Sequence, residues 1–543
     1  MIWKTNLRDV PYPYLHDNSV NRLIRKPQSP MKIKKQDGKT LFSVIDLGSH
    51  SVRMEIVQIS ADGKCEVLEN VSNPIPIGRD VFTKGKISPD SVRLVGKILN
   101  DYRKIMKDYG AEDCRAVATS AVREATNRDL FIERIEHICG IRLDILEASE
   151  EVRLTYLSVK DTLEKKYPLS KQDAVICMIG TGSTHMILVQ NGRVRSSETF
   201  RIGTLRLYEE IGQPASGKKV KDIIDTFVGC VVDDVTKNYP KGQKPPLFIA
   251  VGAPVRALMN TFSGDKEEPK ILTVSRKNLE TMHSSVAGVP SEKLAETYRL
   301  SDMIAQSLEP CCDILEHFIQ ITDAQKLVVP MITTRDALID EILRDFAGKE
   351  DPFMQDIISS VEFLGEKFRY DAEHGKCAKE AALSIFDALQ PLHGIGKRGR
   401  MMLEAAAILH DIGQYVNNRQ HHKHSYYLIS NSQLPGISPD ELEEVAVIAR
   451  YHRRGLPKDS HVEYMGLSPE KRVEVNKLAG ILRIADALDR SNSHKIRNVK
   501  VSYDDEKLTI ATHASFELTL ERMEVKNKGD LFTDVFGLRA VVE

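Results

Sequence analysis

Two segments of this 543-residue chain follow the same plan, in which an apolar strand, a glycine-containing bend and a second apolar strand succeed one another. The first covers residues 42–59 and the second covers residues 174–189. Each is followed by a dipeptide typical of hairpin turns, Asp62-Gly63 and Asn191-Gly192. Because a chain that repeats such a unit places two equivalent bends in one molecule, the pattern predicts a duplicated fold.

The bends themselves predict phosphate binding. Glycine and serine at a bend let backbone N–H groups approach an oxyanion closely, as in other phosphate cradles. The candidate phosphate-binding residues are Gly48, Ser49 and His50 in the first bend and Gly180, Thr181, Gly182 and Ser183 in the second.

Strand and helix patterns recur in the same order over residues 41–165 and 166–340, which predicts two α/β domains with a cleft between them. Ligands of such sheets bind at the carboxyl ends of the strands, where both bends would lie. Helical periodicity dominates residues 341–498, and strand-like runs return in a small α+β segment at residues 499–543. Residues 1–40 are basic and are expected to form a solvated arm, or a contact for an anionic partner.

Composition narrows the class of protein. With 76 Lys and Arg against 77 Asp and Glu, the net charge is −1, which predicts no general attraction to nucleic acid or to an anionic membrane. We find no apolar run of about 18 residues, so no membrane span is expected. The eight cysteines form no C-x-x-C pair, which is typical of a reduced, cytoplasmic protein.

Two further motifs follow the first bend. Residues 119–123 close a strand and open a helix that contains Arg123, an arrangement suited to an anion at a helix N-terminus. Ser149 is predicted to be the N-cap of a later helix, with Glu150 and Glu151 in its first turn. On spacing alone, favourable electrostatics at the helix end would explain both glutamates.

Taken in order, residues 46–51, 119–123, 149–153 and 179–184 resemble the motifs of the exopolyphosphatase / guanosine pentaphosphate phosphohydrolase family. The resemblance extends over most of residues 41–540. It implies a duplicated actin-like ATPase fold, of the type found in sugar kinases and Hsp70, followed by an all-α HD-like domain. It also implies a homodimer formed through the C-terminal part.

The resemblance assigns roles to three residues. Glu151 would orient or deprotonate the attacking water, while Asp46 and Arg123 would face the phosphate or its Mg²⁺ ion. The implied reaction removes a terminal phosphate from inorganic polyphosphate or from guanosine pentaphosphate. Phosphoryl transfer needs this combination of charge neutralisation, positioning and a base for water.

The chain departs from the family in its second bend. Met178 replaces an aspartate, His185 a glutamate and Thr181 a glycine, and residues 251–256 replace a Gly-Ser-Gly-Thr-type loop. A thioether is a poor ligand for a hard cation. Two interpretations stay open: a weakened hydrolase, or a regulatory protein that binds polyphosphate or alarmone nucleotides without turnover.

The helical region carries histidines and aspartates in an order that resembles the HD metal-phosphohydrolase superfamily. The matching residues are His374, His410, Asp411 and Asp486, with His424 and His452 as extra ligands. The resemblance implies a second divalent ion, and these ligands suit Mn²⁺, Fe²⁺ or Zn²⁺ better than Mg²⁺. The alternatives are a helical domain with a residual histidine cluster, or a metal phosphohydrolase that itself carries the activity.

Overall fold

The computed structural model describes residues 35–36, 39–60, 64–211, 226, 244–263, 269–453, 455–494, 496, 499–512 and 517–543. Most of the predicted arm at residues 1–40 therefore lies outside the described residues. The described chain forms a larger unit, residues 30–372 and 411–443, and a smaller unit, residues 373–410 and 444–543. None of the described helices has the length and apolarity that a membrane crossing requires.

The first sheet of the larger unit has the strand order β4-β3-β2-β5-β6, with β1 paired to β2. Strands β2 to β4 form an antiparallel meander, and β5 and β6 continue the sheet parallel to β2. Their bounds are β1 Lys35–Gln36, β2 Lys39–Leu47, β3 Ser51–Ile59, β4 Cys65–Pro74, β5 Cys114–Ala118 and β6 Asp144–Ile145.

The second sheet repeats this layout in the order β11-β12-β10-β7-β8-β9. Strands β7 to β9 form the meander, β10 and β12 run parallel to β7, and β11 is an added antiparallel edge strand. The bounds are β7 Ala174–Ile179, β8 Thr184–Gln190, β9 Arg193–Phe200, β10 Leu247–Val251, β11 Ile271–Ser275 and β12 Lys326–Pro330. The predicted duplication of the fold is confirmed.

Helices cover these sheets. In the larger unit they are Ile77–Lys84, Pro89–Tyr109, Ser120–Glu124, Arg128–Cys139, Ala148–Leu163, Thr204–Ile211, Ala253–Ser263, Arg276–Val286, Ser291–Tyr298, Asp302–Ile319, Thr334–Phe346, Met354–Lys367 and His421–Ser430, with a 3₁₀ turn at Ile412–Tyr415. The helix Pro439–Arg450 contributes residues to both units, and the helix Ala372–Ala388 has its first residue in the larger unit.

Each sheet has its own buried core. The last helix of the second half packs against the first sheet. The helix Thr334–Phe346 follows β12 and packs Leu338 against Phe42 and Val44 of β2. Beside this core, Arg335 donates to Glu55 of β3 at 2.8 Å in a buried ion pair. Since a buried charge is tolerated only when it is paired, this contact fixes where the returning helix sits.

The smaller unit is helical, as predicted for most of this region. Its helices are Ala372–Ala388, Gln390–His393, Lys397–Leu409, Val462–Met465, Pro469–Ala487, Thr519–Lys528 and Asp530–Phe536, and its three-stranded sheet contains β13 Lys500–Tyr503, β14 Lys507–Ala511 and β15 Arg539–Val542. The helix Pro469–Ala487 begins where Ser468 accepts a hydrogen bond from the N–H of Lys471 and Pro469 occupies the first helical position.

The two predicted hairpin turns differ in outcome. Asn191 and Gly192 have φ of 51° and 74°, the left-handed values of a tight two-residue turn between β8 and β9, so this prediction is confirmed. Asp62 and Gly63 lie outside the described residues. The domain limits at residues 165, 340 and 498 stay predictions.

Candidate active site

The carboxyl ends of the parallel strands of both sheets surround one cleft of about 840 Å³ that is open to solvent. Strands β2, β5, β7, β10 and β12 each end beside it, as expected for ligand crevices of α/β sheets. Of the predicted site residues, Asp46, Gly48, Ser49, His50, Glu151, Gly180, Thr181 and Ser183 line it. The structure thus brings both bends to one place.

The two bends share their backbone geometry. The N–H of Gly48 donates to the carbonyl of Ser51 at 2.9 Å, and the N–H of Gly180 donates to that of Ser183 at 2.8 Å. Gly182 is not among the lining residues. A Cβ there would lie 2.5 Å from the ring of Phe82, so this glycine allows close packing between the halves.

Asp46 is a buried carboxylate at the end of β2. Its Oδ1 atom has no hydrogen-bond partner among the described residues. Burial raises the pKa of Asp46 above its usual range, while the guanidinium groups of Arg53 and Arg335 act in the opposite direction. A buried carboxylate oxygen without a donor is costly, and a bound cation would remove that cost.

Glu150 and Glu151 are adjacent in sequence but have different surroundings. Both carboxylate oxygens of Glu150 accept hydrogen bonds from Arg153, at 2.6 and 2.8 Å. Glu151 instead lines the cleft. The prediction that Ser149 caps this helix is wrong: the helix begins at Ala148 with Glu147 as its N-cap, so Ser149 lies inside the first turn.

Arg123 is not among the residues that line the cleft. Its guanidinium donates to the carbonyl of Leu146 and to Oε2 of Glu151, the latter at 3.3 Å. The structure therefore shows Arg123 as a partner of Glu151, and its predicted contact with phosphate stays a prediction.

The strand register shows that the two halves differ at equivalent positions. In the first half, Asp46 of β2 pairs directly with Arg53 of β3. In the second half the corresponding pair is Met178 of β7 and His185 of β8. An acid and a cation in one half are thus replaced by a thioether and an imidazole in the other.

His185 is buried among polar groups of the cleft. Its Nδ1 lies 3.0 Å from Oγ1 of Thr199, and its Nε2 lies 3.2 Å from Oγ of Ser183 and 3.8 Å from Oε2 of Glu151. Burial lowers the pKa of His185 to about 4, although Glu151 raises it. The ring is therefore neutral at pH 7 and can donate one hydrogen bond.

Two cations in the cleft were not predicted as site residues. Arg53 and Arg256 both line it. Arg53 is the third residue of β3, on the same face of the sheet as its pairing partner Asp46, and strand alternation was the signal that could have identified it. Arg256 lies in the first turn of the helix that follows β10. Both add positive charge where a phosphate anion would bind.

The donor set of the cleft fits a Mg²⁺ ion held mostly by its substrate. Mg²⁺ commonly binds one or two protein carboxylates and takes its other oxygens from phosphates and water. Asp46 offers such an oxygen, and Glu151 is a nearby carboxylate. Among the described residues, the cleft does not gather three protein ligands within reach of one ion.

A second constellation lies in the smaller unit, where His374, His410 and Asp486 converge. The Nε2 atoms of the two histidines are 3.2 Å apart, and Oδ1 of Asp486 lies 3.5 Å from the first and 3.8 Å from the second. These three side chains could hold a metal ion. His452 packs its ring 4.9 Å from that of His410 in the same unit.

The other two predicted ligands belong to the larger unit. Asp411 lies 3.0 Å from Nε2 of His421 through its Oδ1. His424 is half-buried on the helix His421–Ser430. The structure thus groups four of the six predicted ligands in one unit.

Comparisons with known proteins identify relatives over most of the chain. The family model described as the Ppx/GppA phosphatase family matches residues 56–346, and that of domain III of Ppx/GppA phosphatase matches residues 358–530. A guanosine-5'-triphosphate,3'-diphosphate pyrophosphatase of Vibrio vulnificus (strain YJ016) is 22% identical over 509 residues, covering 93% of this chain and 98% of the relative. A protein of the same name from Aeromonas hydrophila subsp. hydrophila is 23% identical over 477 residues, covering 87% and 92%.

Among solved structures, an exopolyphosphatase from Cytophaga hutchinsonii superposes with a TM-score of 0.50 at 17% identity, covering 57% of this chain and 99% of that one. The duplicated sheets have the predicted actin-like ATPase fold. The HD-like assignment of the helical region stays a prediction. Because the first family model alone covers more than half of the chain and includes the second bend and Glu151, the chain belongs to the Ppx/GppA phosphatase family.

Proposed function

We propose that the cleft hydrolyses a terminal phosphoanhydride bond of inorganic polyphosphate, of guanosine pentaphosphate, or of both. The observation that carries the proposal is the meeting of Glu151, Asp46 and both phosphate bends in one cleft. The names of the relatives support a phosphoanhydride substrate.

Each residue has a role that its surroundings support. Glu151 accepts a proton from water, and Arg123 holds that carboxylate in place. Asp46 would provide an oxygen for Mg²⁺, and the ion, when bound, would neutralise charge on the transferred phosphoryl group. The backbone N–H groups of the bends, with Ser49 and Ser183, hold phosphate oxygens.

The proposed reaction needs only water and the phosphoanhydride substrate as reactants. The oxygen of water forms a bond to the terminal phosphorus, and the bond from that phosphorus to the bridging oxygen breaks. The shortened phosphate chain or nucleotide leaves with that oxygen, and the proton of the attacking water passes to Glu151. Arg53 and Arg256 would lie beside the charge that develops on the phosphoryl oxygens.

Met178 is the reason to keep a second proposal, a regulatory protein that binds polyphosphate or alarmone nucleotides without turnover. Loss of one oxygen ligand on the metal side would cost about two to four decades in rate. A third candidate places metal-dependent phosphohydrolysis in the smaller unit, and the convergence of His374, His410 and Asp486 favours it.

Three expectations about context belong to the same proposal. A reduced, cytoplasmic location is supported by the seven described cysteines, which are all unbridged. A homodimer is supported by the family resemblance alone. Specific nucleic-acid binding is not proposed, since the net charge is −1.

The test is phosphate release by the purified chain with Mg²⁺ from long-chain polyphosphate and, separately, from guanosine pentaphosphate. Release from at least one substrate is expected. Calorimetric binding of tripolyphosphate without release from either substrate would contradict hydrolysis and favour the regulatory protein. A chain that neither binds nor releases phosphate would overturn both proposals for the cleft.

A further inference from the structure

His185 has a hydroxyl group on each side of its ring. Its Nδ1 lies 3.0 Å from Oγ1 of Thr199, and its Nε2 lies 3.2 Å from Oγ of Ser183. Burial lowers the pKa of His185 to about 4, so only one of the two ring nitrogens carries a proton at neutral pH. Because a hydroxyl group can donate or accept, these two contacts alone allow either tautomer.

The charge of Glu151 distinguishes the two tautomers. Its Oε2 atom lies 3.8 Å from Nε2 of His185, which is too long for a hydrogen bond but close enough for a strong charge–dipole interaction in a buried place. A carboxylate attracts an N–H group and repels a nitrogen lone pair. Arg123 acts on the ring in the opposite direction, but the effect of Glu151 is the larger of the two. The favoured tautomer therefore carries its proton on Nε2, and the hydroxyl of Thr199 donates to Nδ1.

This tautomer determines what Ser183 can do. With the proton on Nε2, His185 donates to Oγ of Ser183, and the serine hydroxyl keeps its own proton for another acceptor. With Nε2 bare, the ring would itself accept that proton. Ser183 lines the cleft between the two halves, where the proposed acceptor is a phosphate oxygen of the substrate.

The same nitrogen lies beside the carboxylate that is proposed to take a proton from water. Oε2 of Glu151 faces Nε2 of His185 and accepts a hydrogen bond from Arg123 at 3.3 Å. Among the described residues, no hydrogen bond reaches Oε1 of this glutamate. Oε1 is therefore the oxygen left for the attacking water.

We propose that His185 is a positioning residue of the cleft, whose Nε2–H group holds the hydroxyl of Ser183 as a hydrogen-bond donor to the substrate phosphate and favours Oε1 of Glu151 as the atom that meets water. The inference rests on the proposed function. It gives a role to one of the positions at which the chain departs from its family, since an imidazole N–H donor stands where the resemblance implies a glutamate.

The first test locates the proton. Long-range ¹H–¹⁵N correlation spectra of the histidine-labelled full chain show which nitrogen of each ring is protonated, and the spectrum of His185→Gln identifies the signals of His185 by their loss. We expect the pattern of the Nε2–H tautomer at neutral pH. A proton on Nδ1, or on both nitrogens, would overturn the proposal.

The second test measures the consequence for Ser183 through the binding of tripolyphosphate, followed by calorimetry without Mg²⁺. We expect Ser183→Ala to weaken binding about 10-fold or more in the wild type, because it removes a hydrogen bond to a charged group. His185→Gln is the conservative background, since its amide N–H₂ can still donate to Ser183, and the loss should persist there. In His185→Leu nothing orients the hydroxyl, and Ser183→Ala should change affinity less than about threefold.

An equal effect of Ser183→Ala in all three backgrounds would overturn the positioning role, and the wild-type spectrum decides the matter if His185→Leu does not fold. The proposed hydrolysis fails separately. If the wild type shows the expected tautomer and binds tripolyphosphate but releases no phosphate, hydrolysis is wrong while the role of His185 towards Ser183 stands. If it releases phosphate with the proton of His185 on Nδ1, only the role of His185 is wrong.

Discussion

Among single residues, the most informative difference between the two halves of the larger unit is the one between Asp46 and Met178. Asp46 and Met178 occupy equivalent places two residues before the two bends. Asp46 has a buried oxygen suited to a hard cation, whereas the thioether of Met178 is a weak ligand for one. The metal would therefore be bound from one side of the cleft.

This asymmetry makes the substitution Met178→Asp informative. A carboxylate at the end of β7 supplies the missing oxygen, so we expect the Mg²⁺-dependent rate of phosphate release to rise by about two decades, with some loss of thermal stability. Met178→Asn is the control, with a similar shape and no charge. An equal gain in both variants, or no gain in either, would contradict a metal-side role for this position.

At the scale of elements, the turn after β10 depends on a glycine. Gly252 has φ of 123°, and a Cβ there would lie 2.0 Å from the carbonyl oxygen of Ile179. The backbone of Gly252 therefore packs directly against the end of β7. The helix Ala253–Ser263 begins at the next residue and places Arg256 at the cleft. The glycine therefore places two lining elements at once.

We expect Gly252→Ala to lower the free energy of unfolding by at least about 2 kcal/mol and to reduce phosphate release, because backbone must move to admit the methyl group. Gly348→Ala is the comparison, with φ of 62° and nothing within 4 Å of the added carbon. It should lose about 1 kcal/mol and leave release unchanged. Denaturant unfolding and the phosphate assay check both, and an equal effect of the two substitutions would show that the close approach of Gly252 to Ile179 has no special role.

A histidine joins two helices of the second half. His283 lies between Asp313 at 3.1 Å and Glu316 at 2.8 Å. The hydrogen bond to Asp313, with the nearby charges, raises the pKa of His283 to about 9 despite burial. A raised folded-state pKa stabilises the fold fully below about pH 6.5, and this contribution is lost as pH rises through about 9.

We expect the melting temperature of the wild type to fall between pH 6.5 and 9, and His283→Gln to fall less over the same range. His137→Gln, at an exposed position of the helix Arg128–Cys139, should follow the wild type. Parallel curves for wild type and His283→Gln would show that this ion pair does not link the two helices.

At the scale of the whole molecule, the duplicated layout and the helical region could be predicted because they rest on local signals: alternation, glycine bends and helical period. The bends were found from their glycines and flanking strands, whereas the roles of Asp46 and Glu151 came from motif resemblance. Arg53 and Arg256 were missed as site residues because their position depends on strand register and on a helix that starts at a distant strand end. The prediction that Ser149 is an N-cap was wrong because the helix begins one residue earlier, with Glu147 as its N-cap.

In the smaller unit, residue type and order again predict the candidate ligands but not where all of them lie. His374, His410 and Asp486 could be chosen by residue type and order, and the structure brings them together. Sequence order could not show that Asp411 and His424 belong to the larger unit.

In the proposed reaction, the cleft of the larger unit hydrolyses a phosphoanhydride bond and Glu151 takes the proton of the attacking water. The most direct measurement compares initial rates of Mg²⁺-dependent phosphate release by wild type, Glu151→Gln and Glu150→Gln. We predict a fall of about two decades or more for Glu151→Gln and less than about threefold for Glu150→Gln, whose carboxylate bonds Arg153. A wild-type rate retained by Glu151→Gln would show that Glu151 does not act on the water, and no release by the wild type would show that the cleft does not hydrolyse these substrates.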